Sequence, residues 1–151
     1  MTNEITRDVA IAAPLEKVWA ALTDHVQFGQ WFKVALDQPF ALGEESTGQM
    51  TVAGYEGYGW LARVVAIEPM TRFAYDWPAA GGDKALMARA RPITQWTRVG
   101  FRLEPTPTGT HVTVTESGLD ALTEPHRSNV LRSNSAGWTQ QMENIRAYAE
   151  R

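Results

Sequence analysis

Residues 112–118, Val-Thr-Val-Thr-Glu-Ser-Gly, and the helical pattern after them decide the fold of this 151-residue chain. The alternation places Val112, Val114 and Glu116 on one face of a half-buried β-strand. After this strand, inward positions recur at steps of three and four, at Leu131, Ser135, Trp138, Met142, Ile145 and Ala149. That spacing predicts an amphipathic C-terminal helix of ~25 residues with one face turned inward.

The chain before residue 112 follows a strand pattern that two short helices interrupt early. Residues 4–11 alternate as a strand does, and Pro14 suits the first position of a helix because its φ is already helical. A second short helix is predicted at roughly 26–31, followed by five or six antiparallel strands punctuated by glycines. We therefore predict a single α+β domain over residues 1–151, in which a curved antiparallel sheet wraps around the long helix.

Composition excludes several classes of function. The formal charge of −3 and the lack of a basic block disfavour nucleic-acid binding. The chain has no cysteine, which excludes disulfides and thiolate nucleophiles and fits a cytoplasmic location. No run approaches the ~20 apolar residues of a membrane span. The three histidines lack metal-ligand spacing and the glycines lack a nucleotide-binding pattern, so we predict no metal and no cofactor.

Six stretches of the chain carry a family resemblance through their order and spacing. They are 11–24, 29–32 (Gly-Gln-Trp-Phe), 67–69 (Ile-Glu-Pro), 73–77 (Phe-Ala-Tyr-Asp-Trp), 112–118 and 137–138 (Gly-Trp). Together they resemble the START-like SRPBCC superfamily, and within it the branch related to the activator of the heat-shock protein 90 ATPase. The resemblance implies the helix-grip fold of the birch pollen allergen. It implies function only broadly, because members include lipid carriers, polyketide cyclases, hormone receptors and co-chaperone domains.

A cavity between the sheet and the long helix is the predicted ligand site, because ligand sites are mostly apolar and aromatic. The candidate ligand-binding residues are Trp31, Phe32, Phe40, Tyr75, Trp77, Val99, Phe101, Val114, Glu116, Leu131, Ser135 and Trp138. Core packing is the competing interpretation of every aromatic residue in this set. The faces of Trp60 and Trp96 stay open, because a single bulge would reverse them. Residues 78–93 have loop chemistry and are a candidate cover for the cavity mouth.

Glu116 is the charged residue that the pattern turns inward. A buried carboxylate is costly unless it is hydrogen-bonded or paired. In the structural interpretation, Glu116 bonds a backbone N–H or an arginine, with Arg63 and Arg98 as the candidate partners. In the functional interpretation, it is an acid or a hydrogen-bond partner for a polar group of the ligand. It is the sole candidate for a catalytic residue.

Three functions remain open at the level of sequence. The first is binding of a hydrophobic, aromatic or lipid-like small molecule in the cavity. The second is a cyclase or hydrolase in the same cavity, with Glu116 as the pKa-tuned group. The third is a co-chaperone-like interaction module. We expect a monomer or a homodimer in each case.

Overall fold

The computed structural model describes residues 4–88 and 92–151. Its strands are β1 (Ile5–Ile11), β2 (Val34–Leu36), β3 (Glu45–Met50), β4 (Gly59–Glu68), β5 (Arg72–Pro78), β6 (Trp96–Thr106) and β7 (Gly109–Ser117). Its helices are α1 (Leu15–Thr23), α2 (His25–Phe32), α3 (Lys84–Met87) and α4 (His126–Ala149), with a 3-10 turn at Leu119–Ala121. The strands form one antiparallel sheet in the order β1-β7-β6-β5-β4-β3-β2. The predicted α+β helix-grip fold is confirmed.

Two short helices follow β1, as predicted, and they form one end of the grip. Helix α1 begins directly after Pro14. Helix α2 is capped by Asp24, whose carboxylate accepts a hydrogen bond from the Val26 N–H at 3.1 Å. It ends at Lys33, which takes the left-handed conformation with φ of 70°. This sharp end directs the chain from the buried Phe32 into β2.

The structure settles the orientation of the two tryptophans whose faces were open. Trp60, in β4, is 2% exposed on the inner face, and its indole N–H donates to Ser46 Oγ at 3.0 Å. The β4–β5 register shifts between Val64 and Ala66. Trp96, at the start of β6, is 37% exposed. Trp60 therefore joins the interior, whereas Trp96 does not.

Aromatic rings fill much of the space that the sheet and α4 enclose. Phe28, in α2, is fully buried and lies at the centre of this cluster. Its ring contacts five others at centroid distances of 4.9–6.4 Å, those of Trp31, Phe32, Phe40, Trp60 and Tyr75. These distances and the mostly edge-on angles are those that aromatic pairs prefer. Eight of the fifteen aromatic side chains are buried in this interior.

The segment after β5 crosses the end of the sheet and packs against α4. Gly81 has φ of +58°, and a Cβ on it would lie 2.9 Å from the Cα of Val130 in α4. Only glycine permits this close approach of the two backbones. Asp83 then caps α3, accepting from the Leu86 N–H at 3.2 Å. Of the segment 78–93, residues 89–91 lie outside the described residues. Among the helices of the described ranges, none is long and apolar enough to cross a membrane.

Candidate functional site

A cavity of about 200 Å³ lies between the inner face of the sheet, the segment after β5 and the middle of α4. It is smaller than the ~300–1,000 Å³ typical of pockets for drug-sized ligands. The segment 78–87 contributes Pro78, Ala80, Gly81, Gly82 and Met87 to its wall. The described part of the segment therefore does border the cavity, as a cover for its mouth would.

Four aromatic rings form one continuous side of the cavity. They belong to Phe32, Trp60, Trp77 and Trp138. The centroid of Phe32 lies 5.3 Å from that of Trp60 and 6.2 Å from that of Trp138. Trp77 lies 5.9 Å from Trp60 and 5.6 Å from Trp138. Because each ring is held by its neighbours, this side of the cavity is largely preformed.

Two tyrosines from the β3–β4 connection complete the rim. The rings of Tyr55 and Tyr58 lie 4.9 Å apart, and both border the cavity. The Tyr58 hydroxyl donates to the carbonyl of Gly82 at 3.2 Å. The ammonium of the exposed Lys84 lies 5.9 Å from the centre of the Tyr58 ring. The β3–β4 connection is therefore tied to the segment after β5 across the rim.

Helix α4 supplies further polar and small residues to the wall. Ser133, Asn134 and Gln141 line the cavity with Gly137. A Cβ on Gly137 would meet nothing within 4 Å, so this position leaves open space. None of the lining residues in the described chain carries a charge.

Glu116 lies behind the aromatic side of the cavity and is fully buried. Its Oε1 accepts from the Trp138 indole N–H at 2.9 Å, and its Oε2 accepts from the Trp77 indole N–H at 3.0 Å. The Thr97 hydroxyl donates to Oε2 at 2.6 Å. The amide nitrogen of Asn134 lies 3.1 Å from Oε1 and 3.0 Å from Oε2. One carboxylate thus joins β5, β6, β7 and α4.

The partners of Glu116 are neutral donors and not the arginines that the sequence suggested. Arg63 pairs with Glu45 at 3.9 Å and Arg98 with Asp76 at 2.8 Å, and both arginines are exposed on the outer side. Indole N–H groups can only donate, so the donor set suits the acceptor-only, ionised carboxylate. The prediction that Arg63 or Arg98 pairs with Glu116 is wrong, because both guanidinium groups pair with carboxylates on the outer face of the sheet.

Tyr75 provides a prediction about alkaline pH. It is fully buried, and within the described ranges its hydroxyl has no hydrogen-bond partner. Burial, and secondly the Glu116 carboxylate, raise the pKa of the Tyr75 phenol well above its ordinary value. Since the unfolded chain ionises this phenol above pH ~10, stability falls as the pH rises beyond that point.

We expect Tyr75→Phe to stabilise the protein by about 1 kcal/mol at neutral pH, because it removes a buried, unpaired hydroxyl. It should also reduce the alkaline loss, measured by urea unfolding between pH 8 and pH 11 as a rough working range. The exposed Tyr55 supplies the control, Tyr55→Phe, which should leave the alkaline loss in place. An unchanged alkaline loss in Tyr75→Phe would contradict the assignment.

Three of the twelve predicted ligand-binding residues line the cavity, and they are Phe32, Trp77 and Trp138. The other nine lie outside its wall. Trp31, Tyr75, Val99, Phe101, Val114 and Glu116 are buried, whereas Phe40, Leu131 and Ser135 are half-buried. Trp31 is held in the core by a 2.8 Å hydrogen bond from its indole N–H to the Ala21 carbonyl.

Sequence reasoning missed several wall residues that lie outside the strands and the longer helices. Tyr58 lies in the β3–β4 connection and Met87 ends the four-residue helix α3, and neither stretch has a periodicity that would have marked it. Gly137 did carry a signal, because a small residue in the middle of the helix leaves room beside the inward-facing Trp138.

Solved structures from several bacteria share this fold. Protein MLL2253 from Mesorhizobium loti is 28% identical with a TM-score of 0.73, over 96% of this chain and 95% of that chain. A protein from Arthrobacter aurescens has a TM-score of 0.78 at 16% identity, over 97% of this chain and 86% of that chain. DynU16, a protein in the dynemicin biosynthetic locus, is 23% identical with a TM-score of 0.74. The match covers 99% of this chain and 48% of DynU16.

Comparison with curated proteins gives no match. The family model for activator of Hsp90 ATPase homolog 1-like proteins matches residues 12–150. That range runs from the end of β1 to the end of α4 and includes the whole cavity wall. The chain belongs to the activator of Hsp90 ATPase homolog 1-like family.

Proposed function

We propose that this protein binds a small, largely apolar, ring-containing molecule in the cavity beside α4. The observation that carries the proposal is the preformed aromatic side made by Phe32, Trp60, Trp77 and Trp138. Aromatic rings offer apolar area and stacking surface to a planar ligand. The volume of about 200 Å³ suits a compact molecule better than a sterol or a long acyl chain.

The position of Glu116 favours binding over acid–base catalysis. A general acid or base must reach the reacting proton at ~2.6–3.2 Å or through one water. Both oxygens of Glu116 are already engaged by Trp77, Thr97, Asn134 and Trp138, and the residue does not line the cavity. In this proposal Glu116 positions two rings of the wall. A cytoplasmic location and chaperone binding remain predictions from the sequence.

Filling the cavity from α4 tests the site. Gly137→Leu places a side chain in open space, and it replaces a helix-destabilising residue with a helix former, so the fold should be retained. With tert-butylbenzene as the probe, we expect at least about tenfold weaker binding than in the wild type, because the side chain occupies the ligand's volume. Tryptophan fluorescence titration measures this affinity, and thermal unfolding confirms the fold.

The matched control is Ala136→Leu, since Ala136 is exposed on the same helix and is not part of the wall. This control should bind the probe as the wild type does. Equal affinity of Gly137→Leu and the wild type would place the bound molecule elsewhere. Lack of any binding by the wild type would contradict the proposed function.

A further inference from the structure

We propose that the cavity prefers a small organic cation carrying a methylated ammonium group. This inference rests on the proposed function and specifies the class of its ligand. Three features support it: the aromatic composition of the wall, the buried carboxylate behind that wall, and the absence of cationic side chains among the described lining residues.

The first feature is the number of aromatic rings around one small space. Six aromatic residues border the cavity, namely Phe32, Tyr55, Tyr58, Trp60, Trp77 and Trp138. Cations are attracted to the faces of such rings, most strongly to Trp, and the attraction grows when the site is desolvated. The rim already shows this preference, because the Lys84 ammonium lies 5.9 Å from the centre of the Tyr58 ring. Quaternary ammonium groups are recognised by aromatic cages of this kind.

The second feature is the charge of Glu116. Two of the wall rings, Trp77 and Trp138, donate their indole N–H groups to its carboxylate at 3.0 and 2.9 Å. When an indole N–H donates to an anion, the electron density of the ring rises. Both indoles therefore present a more electron-rich ring to the cavity. In the described ranges, no Lys, Arg or His nitrogen lies within 4.0 Å of Glu116. No such cationic group therefore neutralises the charge of Glu116, and this charge acts on the neighbouring cavity.

The third feature is the polarity of the groups around the cavity. The Asn134 amide nitrogen donates to Glu116. The carbonyl oxygen is therefore the remaining polar atom of the Asn134 side chain. The Gln141 amide nitrogen donates to the Phe32 carbonyl at 3.1 Å. The described lining residues offer an anionic ligand no cationic partner, and the polar groups that they offer, such as the Ser133 hydroxyl, are all neutral. A cationic ligand is attracted both by the aromatic rings and by the negative charge of Glu116.

Three probes of matched shape and different charge test this inference. They are phenyltrimethylammonium, tert-butylbenzene and benzenesulfonate, titrated into the full chain with calorimetry or tryptophan fluorescence as the readout. We expect the cation to bind at least about tenfold tighter than the neutral probe, and the anion to bind weakest. Gly137→Leu should weaken cation binding at least about tenfold, while Ala136→Leu should not.

Each alternative outcome has a defined meaning. Equal or tighter binding of tert-butylbenzene overturns the cation preference and leaves the proposed function standing. Cation binding that persists unchanged in Gly137→Leu overturns the assignment to this cavity. Failure of all three probes to bind contradicts both the inference and the proposed function.

Two further measurements separate the contributions of charge and of ring. Glu116→Gln removes the charge, so it should reduce the ratio of cation to neutral affinity about threefold or more. Because this variant can lose stability, protein labelled with fluorotryptophan provides a second test in the native fold. Fluorine withdraws electron density from the indole ring, so cation affinity should fall while that of tert-butylbenzene is retained. Equal cation affinity of labelled and unlabelled protein would overturn the inference.

Discussion

Glu116→Ala is expected to lower the free energy of unfolding by about 4–6 kcal/mol, a large part of the ~5–15 kcal/mol of a typical domain. The substitution removes the acceptor for donors of Trp77, Thr97, Asn134 and Trp138. The Trp77 N–H keeps the Thr97 hydroxyl oxygen as an acceptor at 3.0 Å, whereas the donors of Thr97, Asn134 and Trp138 lose theirs. Each buried donor left without a partner costs about 1–3 kcal/mol. The four residues lie on three different elements, so the loss should loosen the contact between the sheet and α4.

Urea unfolding measures this loss, and a second glutamate of the sheet supplies the control. Glu104, in β6, is exposed, so Glu104→Ala should change the free energy of unfolding by no more than about 0.5 kcal/mol. Glu116→Gln should fall between the control and Glu116→Ala, because its carbonyl oxygen can still accept. A loss below about 1 kcal/mol for Glu116→Ala would show that the donors do not depend on the carboxylate.

Phe28→Ala is expected to cost about 3–5 kcal/mol, the usual range for truncation of a buried phenylalanine. Phe28 is fully buried and contacts five other rings, including Trp31 and Trp60. Removing its ring leaves a hole at the centre of the aromatic cluster, and rigid neighbours cannot fill it. The remaining rings also lose their edge-on contacts.

The control for this prediction lies on the same helix. Val26 is 55% exposed, so Val26→Ala should be nearly neutral. Phe28→Leu should cost less than Phe28→Ala, because it leaves a smaller hole. Chemical unfolding of the three variants provides the comparison. A cost near that of Val26→Ala would contradict a filled aromatic interior and indicate a hollow one.

The fold followed from the sequence because its elements have clear periods. Alternation over residues 112–118 and the steps of three and four in α4 depend on local backbone geometry alone. The same periods fixed which face turns inward. They did not separate core from cavity wall, since both lie on the inner face. Trp31 and Phe32 are adjacent in α2, yet Trp31 bonds the Ala21 carbonyl in the core and Phe32 borders the cavity.

The partners of Glu116 show the second limit of sequence reasoning. Alternation placed the carboxylate inside and indicated that it needs partners. Trp77 and Trp138 are 39 and 22 residues away in the chain, so no local pattern connects them to it. Tyr58, in the β3–β4 connection, and Met87, at the end of the short helix α3, lie in the wall because of tertiary packing that no local pattern shows. These parts of the site could be identified only from the structure.

Indole N–H signals in a two-dimensional proton–nitrogen NMR spectrum test the ligand site most directly. The six tryptophans include three in the cavity wall, Trp60, Trp77 and Trp138, and Trp31 in the core. On addition of tert-butylbenzene, we expect shifts of the three wall signals and an unchanged Trp31 signal. Shifts of Trp31 or of the exposed Trp96 with unchanged wall signals would contradict binding in this cavity.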